Sequence, residues 1–407
     1  MAYLHIYIAE GCGICKTAPF SRRGVKACFL FPVLLVSLFL FSSPGYAERE
    51  IRGLWVVRNS IVHPDSITQL IEFADTNNFN VLFVQVRGRG DAYYKSHFVP
   101  GPENHPEIPD SFDPLEMVID RAHERGIEVH AWFNMYFTWA PPEFPVDPQH
   151  PLNRRPEWFM VSKTGTNMGT SPIESITGPS VEGRYMSPCL ESVRLYLTRI
   201  ISEVIMNYNV DGVHLDYVRY PSRDYDFHPV MREQFLKRYG VDPLDVVNGD
   251  RTIDPELKFL KTWVDFRVSH IDKNVNDIAK LIKMSGKNIR LSAAVKAHAD
   301  EAYYEFGQNW AGWLNQGIVD FVVTMSYLED DESFISILNT SLKKVDRRKV
   351  IGGIGIYKVR PEIASKQIAI ARDMGLMGYC LFSYSTFVGD PQFAEYLKLP
   401  LPAGGVK

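Results

Sequence analysis

The chain has 407 residues, 44 Lys and Arg against 48 Asp and Glu, and 45% hydrophobic residues. That is enough for one large α/β barrel or two ordinary domains. A net charge of −4 with no basic run argues against a nucleic-acid or polyanion partner.

Residues 1–47 read as a targeting segment. Arg22, Arg23 and Lys26 form a basic region, 27–41 is a nearly unbroken apolar run, and Gly45-Tyr46-Ala47 offers small residues for cleavage after Ala47. The run is shorter than the roughly 20 residues of a spanning helix. The expectation is therefore a cleaved leader, no stable membrane insertion afterwards, and a periplasmic or secreted domain over 48–407. Cys12, Cys15 and Cys28 lie in the leader, which leaves Cys189 and Cys380 beyond it. Cys12-x-x-Cys15 has no thioredoxin-like unit behind it and reads as chance. The leader takes four of the Lys and Arg and one of the Asp and Glu, leaving 40 against 47, a mildly acidic domain.

From Ile51 strands and helices alternate. A strand over 53–57 precedes a helix over 66–76, and a second strand over 80–86 runs into the loop Arg87-Gly-Arg-Gly-Asp91-Ala-Tyr-Tyr94. Asp113-Pro114 opens a helix that ends at Arg125-Gly126, with Asp as N-cap, Pro in the first turn and Gly after the last. The third strand, 128–135, leads into a Pro-rich irregular segment over 136–187, too long for a plain connector. A helix over 188–208 feeds the fourth strand, within Val210-Asp-Gly-Val-His-Leu-Asp-Tyr-Val-Arg-Tyr-Pro221. Alternation puts Gly212, His214 and Asp216 on one face of it. A second insert, 222–255, holds a short helix over 231–239 and is followed by a long amphipathic helix over 256–284. Strands over 288–295, 320–327, 350–357 and 378–384 complete the set, separated by helices over 303–315, 332–345 and 360–374, with a last helix over 390–397.

Eight strands, each followed by a helix, predict an α/β fold: a single-domain (β/α)8 TIM barrel with long insertions on the strand-to-helix side. A doubly wound sheet would show a Gly-rich phosphate turn after the first strand, and Val57-Arg58-Asn59-Ser60 is not one. Gly352-Gly353-Ile354-Gly355 lies inside a strand and reads as small interior residues.

In such a barrel the C-terminal strand ends converge on one pocket. Here they bring aromatic and polar groups with several carboxylates, which fits glycoside hydrolysis: two carboxyl groups flanking the bond and aromatic rings to stack on sugars. Asp216 is the first carboxylate. The second lies among Glu329, Asp330 and Asp91, and a carboxylate after a strand is also a common helix N-cap. Arg87, Asn134, Tyr136 and Lys296 are expected to orient substrate, and Trp55, Tyr93 and Trp139 to stack on it. His214, Arg219, Tyr327 and Tyr384 complete the candidate substrate-binding set, although His214, one layer deeper, also reads as a hydrogen-bonded core histidine. A metal-dependent hydrolase using His130, His214, Asp216 and His298 is a weaker reading, since no H-x-H or H-E-x-x-H spacing occurs. A barrel that binds a glycan without cutting it is the non-enzyme alternative.

Four ordered pieces carry a resemblance: Ile51-Arg-Gly-Leu-Trp55, Val84-Gln-Val-Arg-Gly-Arg-Gly-Asp-Ala-Tyr93, Ala131-Trp-Phe-Asn134, and Asp211-Gly-Val-His-Leu-Asp-Tyr-Val-Arg-Tyr-Pro221. Together they resemble the glycosyl hydrolase-like 10 family from about Ile51 to at least Tyr384. The resemblance implies a (β/α)8 barrel, a bacterial envelope or extracellular location, and glycosidase activity without a cofactor. It points to a cell-wall or exopolysaccharide glycan, with peptide-free peptidoglycan strands favoured. It also implies that Asp216 is the fourth-strand catalytic aspartate, that Arg87, Asp91 and Asn134 belong to the site, and that Tyr327 is the aromatic ending strand six.

Overall fold

The computed structural model describes residues 49–397 except 104, 106, 107, 110, 250, 251 and 253–257. The leader expected over 1–47 lies outside the described residues. The strands are β1 (Ile51–Val56), β2 (Val81–Arg87), β3 (Glu128–Asn134), β4 (Phe137–Trp139), β5 (Arg184–Tyr185), β6 (Gly212–Asp216), β7 (Arg290–Lys296), β8 (Phe321–Met325), β9 (Val350–Ile354) and β10 (Gly378–Phe382). Among the described residues eight of them pair in parallel in the order β1-β10-β9-β8-β7-β6-β3-β2, and β2 returns to β1 to close the barrel. Helices α1 (Pro64–Thr76), α2 (Pro114–His123), α3 (Pro151–Arg154), α4 (Glu191–Asn207), α5 (Pro229–Tyr239), α6 (Pro243–Val247) and α7 (Lys258–Ser285) alternate with the first strands. They are followed by α8 (Ala299–Phe306), α9 (Trp310–Asn315), α10 (Asp331–Leu342), α11 (Pro361–Asp373), α12 (Tyr384–Gly389) and α13 (Gln392–Leu397).

The barrel has two apolar layers because each strand is buried on both faces. Outward residues such as Leu54, Val84, Ala131 and Leu215 join the helices in one cluster, while inward residues such as Trp55, Phe83, Phe321 and Ile351 fill the barrel as a second. Burial of each large side chain contributes roughly 1.5–3 kcal/mol relative to exposure. Glycine makes room where two inward rings need it. A Cβ on Gly212 would lie 2.0 Å from the His130 ring, and one on Gly353 would lie 2.0 Å from the Thr324 carbonyl oxygen and 2.9 Å from the Trp55 ring. Gly352 instead faces outward, toward Leu376 and Ala371.

Local signals hold at the helix starts. The Asp113 carboxylate accepts from the amides of Leu115 (3.1 Å) and Glu116 (3.2 Å), the arrangement expected of an N-cap. The helix expected over 303–315 is two helices, broken at Gly307, whose φ of +65° sits against the Tyr220 ring. The second insert carries α6 in addition to the expected α5.

Both inserts are tied down. β4 and β5 pair antiparallel, so the first insert leaves the barrel and returns to it as the two legs of a hairpin. Asp226 of the second insert is fully buried and accepts from the amides of Val161 and His228, each at 3.0 Å, and from the Ser187 hydroxyl. Arg267 of α7 donates to the Ser222 carbonyl at 2.9 Å. The two inserts and α7 thus form one wall above the barrel.

Candidate active site

A cavity of about 660 Å³ opens at the C-terminal ends of the strands. Asn134, Asp216, Lys296, Tyr327 and Phe382 line it from the strand ends, and Glu182 lines it from the first insert. Strand register sets its floor: Asn134 is paired with Asp216 across β3 and β6, and Trp132 with His214 one layer below.

Below the floor, His214 is closed off from substrate. It is fully buried, with Nε2 3.2 Å from the indole nitrogen of Trp55 and Nδ1 2.9 Å from the Ser292 hydroxyl. An indole N–H only donates, so Nε2 accepts and the proton resides on Nδ1. Burial holds its pKa well below the usual value, which keeps the ring neutral. At the floor itself the amides form a chain. Arg58 Nη1 donates to Gln85 Oε1 at 2.9 Å, and a guanidinium only donates, so Gln85 turns its NH₂ to Asn134 Oδ1 at 3.3 Å. Trp132 Nε1 donates to the same oxygen at 3.0 Å, and Asn134 Nδ2 donates to the Gly88 carbonyl at 2.9 Å. Asn134 is therefore held rigidly.

Asp216 ends β6 with only 7% of its surface exposed. The chain then turns sharply. Tyr217 takes φ of +49°, uncommon for a residue with a Cβ, and its amide donates to Asp216 Oδ1 at 2.7 Å. The turn aims the Tyr217 ring into the cavity, where its hydroxyl donates to Glu182. Arg219 Nη2 donates to the other Glu182 oxygen at 3.2 Å, and its guanidinium lies over the Tyr217 ring, 4.8 Å from the centroid. Burial pushes the Asp216 pKa from 3.8 up to about 6; Arg219 and the Tyr217 amide oppose that shift, and Glu182 adds to it. Lys296, over the Phe306 ring at 4.9 Å, has its pKa lowered by burial and by Arg219.

The structure brings Asp216, Asn134, Arg219, Lys296 and Tyr327 of the expected site together at this cavity. Tyr327 stacks on Phe382 with centroids 5.5 Å apart, which makes an aromatic wall. Other expected residues lie elsewhere. Trp55 is barrel core beneath the floor. Arg87 is fully buried on the outer side of β2 and donates to the Asn134 and Met135 carbonyls. Asp91 accepts from the amides of Gly88 and Arg89 and so folds its own loop. Tyr136 is buried and bonded to Asn274 at 3.0 Å, Trp139 donates to the Glu143 carbonyl, and Tyr384 packs on Phe73 outside the barrel. Tyr93 lines a neighbouring surface groove beside His105, with its hydroxyl against the cavity residue Arg58. Glu329 is exposed on the loop after β8 and Asp330 caps α10 through the Ser333 amide; neither lines the cavity. His298 caps α8, and among the described residues no group of three His, Cys, Asp or Glu is placed to hold a metal ion. Glu182, Arg58 and Arg89 line the cavity without having been in the expected set. The Arg pair was visible at the ends of β1 and β2, whereas nothing local marks Glu182.

Comparison with known proteins agrees with this architecture. "Glycosyl hydrolase YngK" of Bacillus subtilis is 24% identical over 333 residues, 72% of this chain and 58% of that protein. An S-layer-related protein of Niallia circulans is 26% identical over 302 residues, 67% of this chain and 18% of that one. The chain thus matches well under two thirds of the length of these relatives. The glycoside hydrolase domain of PgaB from Bordetella bronchiseptica superposes with a TM-score of 0.65 over 86% of this chain and 98% of that one at 15% identity, which shows a shared fold. The sequence model of Glycosyl hydrolase-like 10 matches residues 50–371. The chain belongs to the glycosyl hydrolase-like 10 family.

Proposed function

We propose that this protein hydrolyses glycosidic bonds of a bacterial cell-envelope glycan, with peptide-free peptidoglycan strands as the favoured substrate. The carrying observation is the pair of carboxyl groups at one cavity: Asp216, whose pKa is raised to about 6, and Glu182, both of whose oxygens accept hydrogen bonds. A glycosidase needs one carboxylic acid to protonate the leaving oxygen and a second carboxylate to act as base or nucleophile. Asp216 is the acid, because burial keeps its proton up to mildly acidic pH. Glu182 is the carboxylate, aimed by Tyr217 and Arg219. The Tyr327–Phe382 wall gives the sugar ring a face to stack on. Asn134, with one amide hydrogen uncommitted, fixes a substrate hydroxyl.

Family membership and the name of the Bacillus subtilis relative support the reaction class. The S-layer-related relative supports action outside the cytoplasm, with 1–47 as a cleaved leader. Among the described residues no helix is long and apolar enough to cross a membrane.

The test is digestion of purified peptidoglycan, with and without stem peptides, by the protein and by Asp216→Asn, with products read by mass spectrometry. New sugar ends from the unmodified protein alone are expected. Cleavage by both proteins removes Asp216 from the chemistry. Retention on glycan without cleavage by either replaces the hydrolase with a glycan-binding barrel.

A further inference from the structure

Two guanidinium groups stand at the cavity without an ion-pair partner among the described residues. Arg58 follows β1 and Arg89 follows β2, which are neighbours in the barrel, and both line the cavity that holds Asp216. Arg58 is held in place: Nη1 donates to Gln85 Oε1 at 2.9 Å, and its side chain fills the space over Gly88, where a Cβ would lie 2.5 Å from Cδ. Arg89 makes no side-chain hydrogen bond among the described residues, while its backbone is pinned by Asp91 below and by His150 on its carbonyl. No carboxylate forms an ion pair with either group among the described residues. Asp91, the acid next to Arg89, has its Oδ1 turned to the amides of Gly88 and Arg89. Burial and the neighbouring Arg58 charge lower the Arg89 pKa, with Asp91 opposing them, so the two cations repel each other in a partly dry place. Holding like charges together in this way is unfavourable unless a ligand anion relieves it.

We propose that Arg58 and Arg89 form an anion subsite that takes a free carboxylate carried on the glycan, so that the protein selects strands whose carboxylates are unblocked. Two adjacent guanidinium forks match the planar carboxylate in a way that an ammonium does not. In peptidoglycan the lactyl carboxyl of the muramic residue is an amide while the stem peptide is attached and a free carboxylate once it is removed. The amide offers a neutral acceptor and carries a bulky chain; the acid offers charge and two oxygens. The subsite thus gives a physical reason for preferring peptide-free strands. It rests on reading the cavity as a glycan site, and it places the glycan with one acidic substituent at the β1–β2 side of the rim while the bond to be cut lies over Asp216.

The test compares binding of peptide-free glycan fragments with that of the same fragments after their carboxyls are converted to primary amides, by calorimetry on Asp216→Asn protein. The acid form is expected to bind roughly tenfold to a hundredfold tighter, the scale of a charge-assisted pair. In Arg58→Gln/Arg89→Gln on the same background the ratio should collapse toward one. The ratio is internal, so a general loss of folded protein weakens both forms and leaves it unchanged. A ratio of one in the parent, or an undiminished ratio in the double variant, overturns the subsite. Tighter binding of oligouronates than of peptide-free peptidoglycan, lost in the double variant, keeps the subsite and moves the carboxylate to a uronic acid. Preference for the acid form without cleavage by the unmodified protein keeps the subsite and removes the hydrolase reading. Equal cleavage of acid and amide strands does the reverse.

Discussion

Arg219 reaches from the end of the fourth barrel strand to Glu182 on the first insert, Nη2 to Oε1 at 3.2 Å. Tyr217, two residues earlier, holds the other oxygen of the same carboxylate. Two residues of one loop therefore aim a group that lies more than thirty positions upstream.

Glu182→Gln should lower kcat by about 10²–10⁴, the usual range for a lost acid or base, with the unfolding midpoint nearly unchanged because the side chain is half-exposed. Tyr217→Phe removes only the aiming hydrogen bond and should cost about tenfold. Steady-state kinetics on a defined glycan oligomer measures both. Equal losses in the two variants would mean that Tyr217 does more than aim.

The pH profile follows from Asp216. Its pKa is about 6 in the folded protein, and the role proposed for it is that of the acid, so kcat/KM should fall tenfold per unit as pH rises above about 6. A profile flat from pH 5 to 8 would take the proton donor's role away from Asp216.

The same shift has a stability consequence of opposite benefit. The folded pKa lies above the unfolded one because burial penalises the anion. Its stabilising effect is complete below about pH 3.8 and is lost as pH rises through about 6. Asp216→Asn, always neutral, should therefore be more stable than the parent at pH 7.5, by of order 2–3 kcal/mol, and similar to it at pH 4. Thermal melts at the two pH values test the crossing.

His214 holds the barrel interior together through Trp55 and Ser292. His214→Phe strands the indole N–H of Trp55 and removes the partner of Ser292, which should cost about 2–4 kcal/mol in a denaturant titration. KM should be unaffected at temperatures where the variant is folded. A KM change without a stability change would put His214 in contact with substrate.

Gly183 lies between Glu182 and β5, and a Cβ there would sit 2.3 Å from the Trp139 carbonyl oxygen. Gly183→Ala should push β5 away from β4, displace Glu182 and lower kcat severely while far-UV circular dichroism melts change little. A variant with parental kcat would show that the hairpin is not what places the carboxylate.

The barrel was legible because its signals are local and repeated: short apolar runs, helical periodicity between them, and caps such as Asp113-Pro114. Asp216 was legible for the same reason, from alternation along Gly212, His214 and Asp216. Arg87 shows where alternation fails. It should share a face with Gln85, but the pairing of β2 with β3 slips between Gln85 and Arg87, so Arg87 opposes the outward Phe133 and leaves the cavity to Arg89. The aromatics Trp55 and Trp139 sit near strand ends as expected, yet sequence does not tell a ring that faces the cavity from one that supports it a layer below. Glu182 was illegible because it sits in irregular chain, and the β4–β5 pairing, a contact between residues 137–139 and 184–185, brings it to the site.

That hairpin also divides the site by mechanical origin. Asp216 belongs to a closed ring of strands, whereas Glu182 belongs to the wall of inserts, joined to the barrel by the β4–β5 legs and to the second insert through Asp226, so that wall can open as a unit before the barrel does. Warming or mild denaturant would then silence the protein by separating its carboxyl groups while the barrel stays intact. Cooling would restore it without any refolding of the barrel.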